Sequence, residues 1–204
     1  MEPQVGPARG GRPPLSERRK AQTRLDIARE AVRLFEARGV AATSVEDIAE
    51  AAGISTRTFW RYCEGKEDCV RPLLTTGVDV VAAALLEWRF GEDLATVLDR
   101  AGAAAGEVMA DAPATQALLR LVVDEPALRS VWLRVHHDAE DVFAAALTRS
   151  SALPPGGLHA RVGAAVVNGA LRAAVEHHVA LRGTEGLVDA VREALRIAVS
   201  GLRG

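Results

Sequence analysis

The chain has 204 residues, of which 49% are hydrophobic and 4% aromatic, and its formal net charge is −2 at pH 7. This length allows one large domain or two small ones, and a composition dominated by alanine, leucine, valine, glutamate and arginine favours helices. No apolar run approaches the length that spans a bilayer, no secretory signal precedes the first helix, and two cysteines cannot form a disulfide framework. We therefore expect a cytoplasmic protein that does not bind membranes, with Cys63 and Cys69 as small buried thiols.

Charge is distributed unevenly along the chain. Residues 1–66 hold 12 Lys and Arg against 9 Asp and Glu, whereas the remainder holds 13 against 18. The basic N-terminal third favours a polyanionic partner, although so small an excess adds little by itself. Residues 1–14 are rich in Gly and Pro and include Arg9 and Arg12. They predict a disordered basic arm, which either follows a DNA groove or is an untethered terminus.

A first long helix is predicted after this arm, with Ser16 as its cap and Gly39 at its end. Its apolar residues recur at the 3.6-residue period of a helix that packs on one face. These residues are Ile27, Ala28, Ala31, Leu34 and Phe35.

Residues 43–66 predict two short helices joined by a tight turn. Ser44 and Asp47 have the spacing of a reciprocal capping box, and Thr43 with Glu46 is an alternative. Gly53 falls where a left-handed residue ends the first helix, and Ser55 can cap a second helix over Thr56 to about Tyr62. This is the layout of a helix-turn-helix, whose second helix enters the DNA major groove. The same layout could serve only as a small packing unit.

The second short helix carries chemistry suited to DNA. It has two arginines and no acidic residue, and Phe59 has the spacing of a buried anchor. Residues 56–58 occupy the first turn, where an arginine can bond guanine O6 and N7 and a threonine methyl can pack on thymine. Residues 60–62, Lys66 and Ser44 are better placed for phosphates. The predicted DNA-binding residues are Ser44, Ser55, Thr56, Arg57, Thr58, Trp60, Arg61, Tyr62 and Lys66.

The rest of the chain predicts helices throughout, with no strand-length alternation. A fourth helix should start near Lys66 and run to about Trp88, with a kink or break at Pro72 that could act as a hinge. Pro126 starts a long helix, residues 151–157 form a loop, and Thr184 caps the last helix. The predicted helices are 92–110, 114–123, 126–150, 159–182 and a last one through residue 202.

The last two helices predict a dimer interface. Gly169, Ala170 and Ala173 form a small-residue face that permits close backbone approach, and Leu187, Val191 and Leu195 supply an apolar ridge. A helix-turn-helix reader generally needs two half-sites about one DNA turn apart, which favours an interface between copies. The alternative is that both faces are buried inside one subunit.

Catalytic and metal sites find little support in the sequence. It has no G-x-S-x-G nucleophile motif and no glycine-rich phosphate loop after a strand. Adjacent histidines such as His136 and His137 point about 100° apart on a helix, so they do not easily share a metal. We therefore expect no enzyme activity, no cofactor and no metal site.

Residues 18–70 closely resemble the DNA-binding domain of the TetR family of bacterial repressors. The matching features are a helix ending in Leu34, Phe35 and Gly39, the Ile48-Ala49 pair, the Ala52-Gly53 turn, and the Thr58-Phe59 recognition helix before Gly65-Lys66-Glu67. Two positions depart from the family pattern: Trp60 stands where a phosphate-contacting tyrosine is usual, and Cys63 where a phenylalanine is usual. Residues 57–62 further resemble an actinobacterial subgroup, some members of which respond to acyl-thioester-like ligands.

The resemblance implies an all-α protein with a three-helix helix-turn-helix domain and a larger helical body, about nine helices in all. It also implies a four-helix dimer contact and an effector cavity in the body. Cavities of this kind are largely apolar, with a few polar groups that orient the ligand. The candidate cavity walls are Trp88, Met109, Leu119, Val123, Trp132 and Val135, and the candidate polar contacts are His136, Asn168, Arg172 and His177.

Together these observations predict a homodimeric regulator that binds palindromic double-stranded operator DNA. We expect a repressor, released from the operator by a small molecule. The predicted boundaries are a disordered arm at 1–14, the DNA-binding domain at 15–65, and the ligand-binding and dimerisation domain at 66–204. Two alternatives stay open: a helical binding module that no longer reads DNA, and a redox sensor that uses Cys63 and Cys69.

Overall fold

The protein is described here from a computed structural model that covers residues 15–89, 91–110, 112–150 and 157–202. The predicted arm at 1–14 and residues 151–156 of the predicted loop lie outside these ranges. All regular structure in the described residues is helical, as predicted. The helices are α1 (Leu15–Arg38), α2 (Val45–Ala51), α3 (Thr56–Tyr62), α4 (Arg71–Glu87), α5 (Leu94–Ala110), α6 (Pro113–Asp124), α7 (Pro126–Ser150), α8 (Leu158–Arg182) and α9 (Leu187–Leu202).

Helices α1 to α3 form a small unit around the predicted apolar residues. Ile27, Ala28, Ala31 and Phe35 of α1 are buried, and Phe59 of α3 is fully buried against them as expected. Gly53 has a φ of 66° between α2 and α3, a conformation that costs a glycine nothing and other residues strain energy. Ser16, expected to cap α1, lies inside that helix instead.

The connection from this unit to α4 differs in detail from the prediction. A 3₁₀ turn at Asp68–Val70 precedes α4, and Pro72 lies in the first turn of α4 rather than in its interior. Proline is well tolerated there because the first amide groups of a helix have no partner within the helix. The expected break therefore exists, but it is a change of helix type just before Pro72 and not a kink.

Helices α4 to α9 form the body. Helix α4 packs against α5 and α7, α7 packs against α8, and α9 packs against both α5 and α8. One continuous cluster of buried apolar side chains runs from α1 through the 3₁₀ turn and α4 into the body. Helix α4 therefore packs against both the small N-terminal unit and the rest of the body.

The prediction that the apolar ridge of α9 forms a dimer interface is wrong. Leu187, Val191 and Leu195 are almost completely buried inside the subunit. The reason is the close approach of α5, since a Cβ added at Gly106 would lie 2.6 Å from the Cα of Val188. Such proximity of two backbones leaves the ridge of α9 no exposed surface.

The outer face of α8 is the part of the predicted interface that stays exposed. Leu158, Val162 and Leu181 expose 74%, 47% and 69% of their surface, and Ala173 is exposed between them. Thr184 does not cap α9, because Gly186 directly precedes that helix and its carbonyl accepts from the amide of Ala190 at 3.2 Å. The start of α9 thus lies two residues later than the side-chain pattern suggested.

The stretch Asp68–Glu87 is long and apolar enough, by composition alone, to cross a membrane. This differs from the expectation that no such run exists. Half of its apolar window is buried inside the protein, as in the core helix of a compact domain.

Candidate functional site

The start of α2 is fixed by the predicted capping box. The Ser44 hydroxyl accepts from the Asp47 amide at 3.1 Å, and an Asp47 carboxylate oxygen accepts from the Ser44 amide at 2.8 Å. The Arg38 guanidinium lies 2.7 Å from the same carboxylate. Hydrogen bonds from the Ser44 backbone and hydroxyl, followed by the one from Arg38, lower the pKa of Asp47 to about 2. Ser44 is exposed, yet its polar groups are used within the box.

Helix α3 begins with the second predicted cap. The Ser55 hydroxyl accepts from the amide of Thr58 at 3.2 Å, which satisfies one of the unpaired amides at this helix start. Thr56 and Thr58 are half-buried, whereas Arg57 is exposed. No ion pair involves Arg57 among the residues that the structure describes. The guanidinium of Arg57 is therefore available to donate hydrogen bonds to another molecule.

The second turn of α3 is aromatic and basic on its outer side. Trp60 exposes 55% of its surface and meets Phe59 edge-on, with ring centroids 5.4 Å apart. The guanidinium carbons of Arg61 and Arg24 lie 5.1 and 5.9 Å from the centroid of the Tyr62 ring. The Tyr62 ring thereby attracts both guanidinium groups through cation–π interactions.

Lys66 occupies a different environment from the other predicted contacts. Its ammonium group donates to the Val40 carbonyl at 2.8 Å and lies 3.6 Å from the Glu67 carboxylate. The hydrogen bond joins the loop before α2 to the loop after α3. Lys66 therefore supports the geometry of the small unit, and two of its three donors stay available for other partners.

The surface formed by α3 and its flanking loops, which we call the α3 surface, brings together the exposed or half-exposed predicted residues. Their side chains are exposed or half-buried around α3, while Phe59, Ile48 and Ala49 pack inward. The α3 surface comprises Ser55, Thr56, Arg57, Thr58, Trp60, Arg61 and Tyr62.

Three of the predicted effector contacts meet inside the body, between α7 and α8. Trp132, His136 and Asn168 are each 2% exposed. The ring centroids of Trp132 and His136 lie 4.0 Å apart, and Nδ1 of His136 lies 2.6 Å from Oδ1 of Asn168. Buried polar groups whose hydrogen bonds are satisfied in this way hold the surrounding helices in one arrangement.

Two acidic residues that the sequence reasoning missed complete this cluster. Glu176 accepts from the indole nitrogen of Trp132 at 3.1 Å, and Glu140 accepts from the amide nitrogen of Asn168 at 3.2 Å. Arg172, a predicted contact, joins through Glu176, with 3.6 Å between the charged atoms. The i, i+4 spacing of Arg172 and Glu176 signalled that pair, but the contacts between α7 and α8 had no signal in the sequence.

Two other candidates, Trp88 and His177, lie elsewhere. The Trp88 indole donates to the Glu92 carbonyl at 2.8 Å, in the connection between α4 and α5. His177 is exposed on α8. Neither residue reaches the cluster around His136. His177 follows Glu176 on α8 and therefore points about 100° away from it. Trp88 lies at the end of α4.

A narrow cavity adjoins this cluster. The space in it that the centre of a water-sized molecule can reach is about 10 Å³, which is room for about one water molecule. Burial in these apolar surroundings lowers the pKa of His136 to about 4. The cavity is lined by Leu74, Gly77, Val78, Met109, Trp132, His136, Leu171 and Val175.

The two cysteines are free and buried, as expected. Burial raises the pKa of Cys63 to about 11 and that of Cys69 well above its ordinary value. Because the thiolate is the reactive form, this environment suppresses oxidation and disulfide exchange. The described residues contain no group of three or more His, Cys, Asp or Glu side chains that could hold a metal ion.

Comparisons with known proteins support one family for both parts of the chain. Residues 27–73 match the family model of bacterial regulatory proteins of the tetR family, and residues 92–203 match that of the MftR C-terminal domain. The HTH-type transcriptional regulator TcmR of Streptomyces glaucescens is 34% identical over 137 residues. That match covers 63% of this chain and 60% of TcmR, so the chain spans less than two thirds of this relative.

Solved structures share the fold at low sequence identity. The transcriptional regulator FadR of Bacillus subtilis, solved in complex with stearoyl-CoA, has a TM-score of 0.60 and 19% identity, and the match covers 87% of this chain and 98% of FadR. The SmeT–triclosan complex has a TM-score of 0.62 and 15% identity, with 88% and 91% covered. The second family model alone spans more than half of the chain. The chain belongs to the TetR family of bacterial regulatory proteins.

Proposed function

We propose that the protein is a homodimeric transcriptional repressor that binds palindromic operator DNA through α3 and leaves it when a small molecule occupies the body. The observation that carries this proposal is the α3 surface, where Phe59 anchors the helix and Arg57 and Trp60 face outward. Family membership and the similarity to TcmR support the same role. A protein in this role works in the cytoplasm, where bacterial DNA lies, and needs no cofactor or catalytic group.

The residues of the α3 surface divide by position. Thr56, Arg57 and Thr58 lie in the first turn, from which side chains reach base edges when the start of a recognition helix enters the major groove. Trp60, Arg61 and Tyr62 lie in the second turn and suit the phosphates, which fix register without reading sequence. Ser55 contributes to this surface through the cap of α3, and Ser44 through the cap of α2. Lys66 flanks the surface, supports the loop at Val40 and suits a phosphate contact.

The body suits a bound effector because its cavity and the small unit share α4. Leu74, Gly77 and Val78 of α4 line the cavity, and α4 follows the 3₁₀ turn that leads from α3. A ligand that displaces α4 would change the separation of the two α3 helices in a dimer. Since half-sites lie about 34–36 Å apart, a shift of a few ångströms would lose one of the two contacts, so effector and operator would oppose each other's binding.

The recognition helix favours the actinobacterial subgroup noted above, and the similarity to a Streptomyces regulator agrees with it. The domain boundaries that we propose are 15–65 for DNA binding and 66–204 for effector binding and dimerisation. Helix α4 lies within the effector-binding range 66–204, but it packs against α1 of the DNA-binding domain as well as against the body.

A binding assay tests the proposal directly. Fluorescence anisotropy of the full-length protein with the DNA next to its own gene should show tight, saturable binding that falls steeply with salt. A scrambled duplex of equal length is the control, and it should bind far more weakly at the same salt concentration. Equal binding of both duplexes, or none at all, would favour a helical binding module that does not read DNA.

A further inference from the structure

His136 lines the cavity between α4, α5, α7 and α8, and one of its ring nitrogens is buried without a partner. The residue is 2% exposed, and Nε2 has no hydrogen-bond partner within the described parts of the chain. Leaving a buried polar atom unpaired destabilises the folded protein. Such an atom, in a cluster where every neighbouring polar group is paired, points to a partner from outside the chain.

The hydrogen bonds of Asn168 determine which ring nitrogen carries the proton. The Asn168 amide nitrogen donates to the His136 carbonyl at 2.7 Å and to Glu140 at 3.2 Å. Both partners can only accept, so the amide orientation is fixed and Oδ1 faces the ring. Because Oδ1 can only accept as well, Nδ1 of His136 must be the donor across the 2.6 Å contact. In the neutral ring, Nε2 then carries a lone pair and no proton.

The surroundings keep the ring neutral. Apolar burial lowers the pKa of His136 to about 4, and this outweighs the hydrogen bond from Nδ1 to Asn168 that favours the charged form. The charged groups that act on the ring are Arg172, Glu176 and Glu140. At neutral pH the cavity therefore faces a hydrogen-bond acceptor and not a donor or a cation.

Apolar side chains make up the rest of the cavity wall, and the space between them can change. Leu74, Val78, Leu171 and Val175 offer no polar atom. Met109 stands directly opposite Gly77, where an added Cβ would lie 2.7 Å from the Met109 sulfur. Methionine side chains are flexible and adapt to irregular shapes, so a rotation of Met109 can enlarge the cavity next to α4.

We propose that the effector of this regulator is a small, uncharged, mainly apolar molecule that donates one O–H or N–H hydrogen bond to Nε2 of His136. Phenols and indoles are the chemical class that fits. The inference rests on the proposed function, because it assigns the effector of the same body. It excludes carboxylates and other anions as the group at this position, since an anion would face a lone pair in an apolar site.

Two matched probes test the donor requirement. Indole and benzofuran have nearly the same shape, but indole presents an N–H where benzofuran presents an oxygen acceptor. Isothermal titration calorimetry on the full-length protein should show indole binding about tenfold more tightly than benzofuran. In the His136→Phe variant the two affinities should become equal, because the acceptor is gone while an aromatic ring remains.

A second measurement does not depend on the variant, and its first part needs no ligand. Nitrogen-15 NMR of histidine-labelled protein distinguishes the two neutral tautomers, and His136 should be protonated at Nδ1 at pH 7. Addition of indole should shift the Nε2 resonance, whereas benzofuran should not. Binding of both probes with one affinity, binding of neither, or a proton on Nε2 would overturn the proposal. Operator binding by the protein without ligand is measured separately. If the protein does not bind the operator, that result contradicts the repressor role and leaves the effector proposal to the two tests above.

Discussion

Arg57 is the residue at which the proposed DNA reading can be tested most directly. It is exposed in the first turn of α3 and forms no ion pair within the described ranges. We expect Arg57→Ala to weaken operator binding by about 1–3 kcal/mol and to relax the preference at one base pair, because a bidentate contact to guanine is lost. Anisotropy titrations with operators substituted at each position provide the measurement.

Lys66→Ala is the matched control for the Arg57 variant. We expect it to weaken binding to every duplex alike and to lower the slope of log affinity against log salt by about one. Its hydrogen bond to the Val40 carbonyl adds a general loss of stability that circular dichroism would register. An Arg57→Ala protein with unchanged base preference would remove Arg57 from base reading, whatever happens at Lys66.

His136 makes the stability of the protein depend on pH in a defined window. Its pKa is about 4 in the folded chain and about 6.5 in an unfolded one. As the pH falls from 6.5 to 4, the unfolded chain takes up a proton that the folded chain does not. Stability is therefore complete above pH 6.5 and declines by about 3 kcal/mol towards pH 4.

Urea denaturation between pH 4 and 7.5 measures this decline. In the His136→Phe variant, the free energy of unfolding should fall less steeply between pH 4 and 6.5. The decline that remains comes from the other titrating groups. If NMR shows that the His136 ring titrates near pH 6.5 in the folded protein, the prediction is wrong.

At the scale of the elements, the sequence predicted those features that are determined within one or two turns of a helix. The capping box of Ser44, the cap at Ser55, the turn at Gly53 and the buried Phe59 are all confirmed. Each depends on residues no more than a few positions apart, so its stereochemistry can be read locally. The start of α9 was missed because Thr184 and Gly186 both suit a helix boundary.

Features that depend on which helices are neighbours could not be predicted. The ridge at Leu187 has the same spacing whether it meets a second subunit or α5, and only the close approach at Gly106 decides. His136 and Asn168 were named as separate candidates, but their pairing, and with it the tautomer, requires α7 beside α8. Glu140 and Glu176 were missed for the same reason.

Helix α4 provides a prediction about the cavity. In Gly77→Ala, the new methyl group would lie 2.7 Å from the Met109 sulfur. The methyl group and the Met109 side chain then compete for the space next to α4 that the effector needs. We expect the affinity for indole to fall at least about tenfold, although alanine is the better helix former by about 1 kcal/mol. Calorimetry measures the affinity, and thermal unfolding verifies that the variant is folded.

The double variant Gly77→Ala with Met109→Ala is the control for this prediction. Removing the methionine side chain returns the lost space, so indole binding should recover in part. A Gly77→Ala protein that binds indole as tightly as the natural chain would show that the cavity next to α4 is not where the probe binds.

At the scale of the whole molecule, ion pairs link the small N-terminal unit to the body on the outside of the shared core. Arg120 of α6 lies 3.3 Å from Glu36 of α1, and Arg134 of α7 lies 3.5 Å from Asp68 in the 3₁₀ turn. Exposed pairs of this kind each contribute little stability. The two parts are therefore held together mainly by the continuous apolar core around α4, and α4 is the element through which we propose that effector and DNA are coupled.

The outer face of α8 is where we expect two subunits to meet. Val162 and Ala173 lie on this face among exposed apolar and small residues, and no described part of the chain covers them. Ala173→Arg would place a charge and a long side chain where the second helix must approach closely, and burying an unpaired charge is costly. We expect this variant to be a folded monomer by light scattering and to lose most of its operator affinity, because each subunit then binds one half-site alone. Ala83→Arg, at an exposed alanine of α4, is the matched control and should stay dimeric. If Ala173→Arg is a dimer with unchanged affinity, the subunits meet elsewhere.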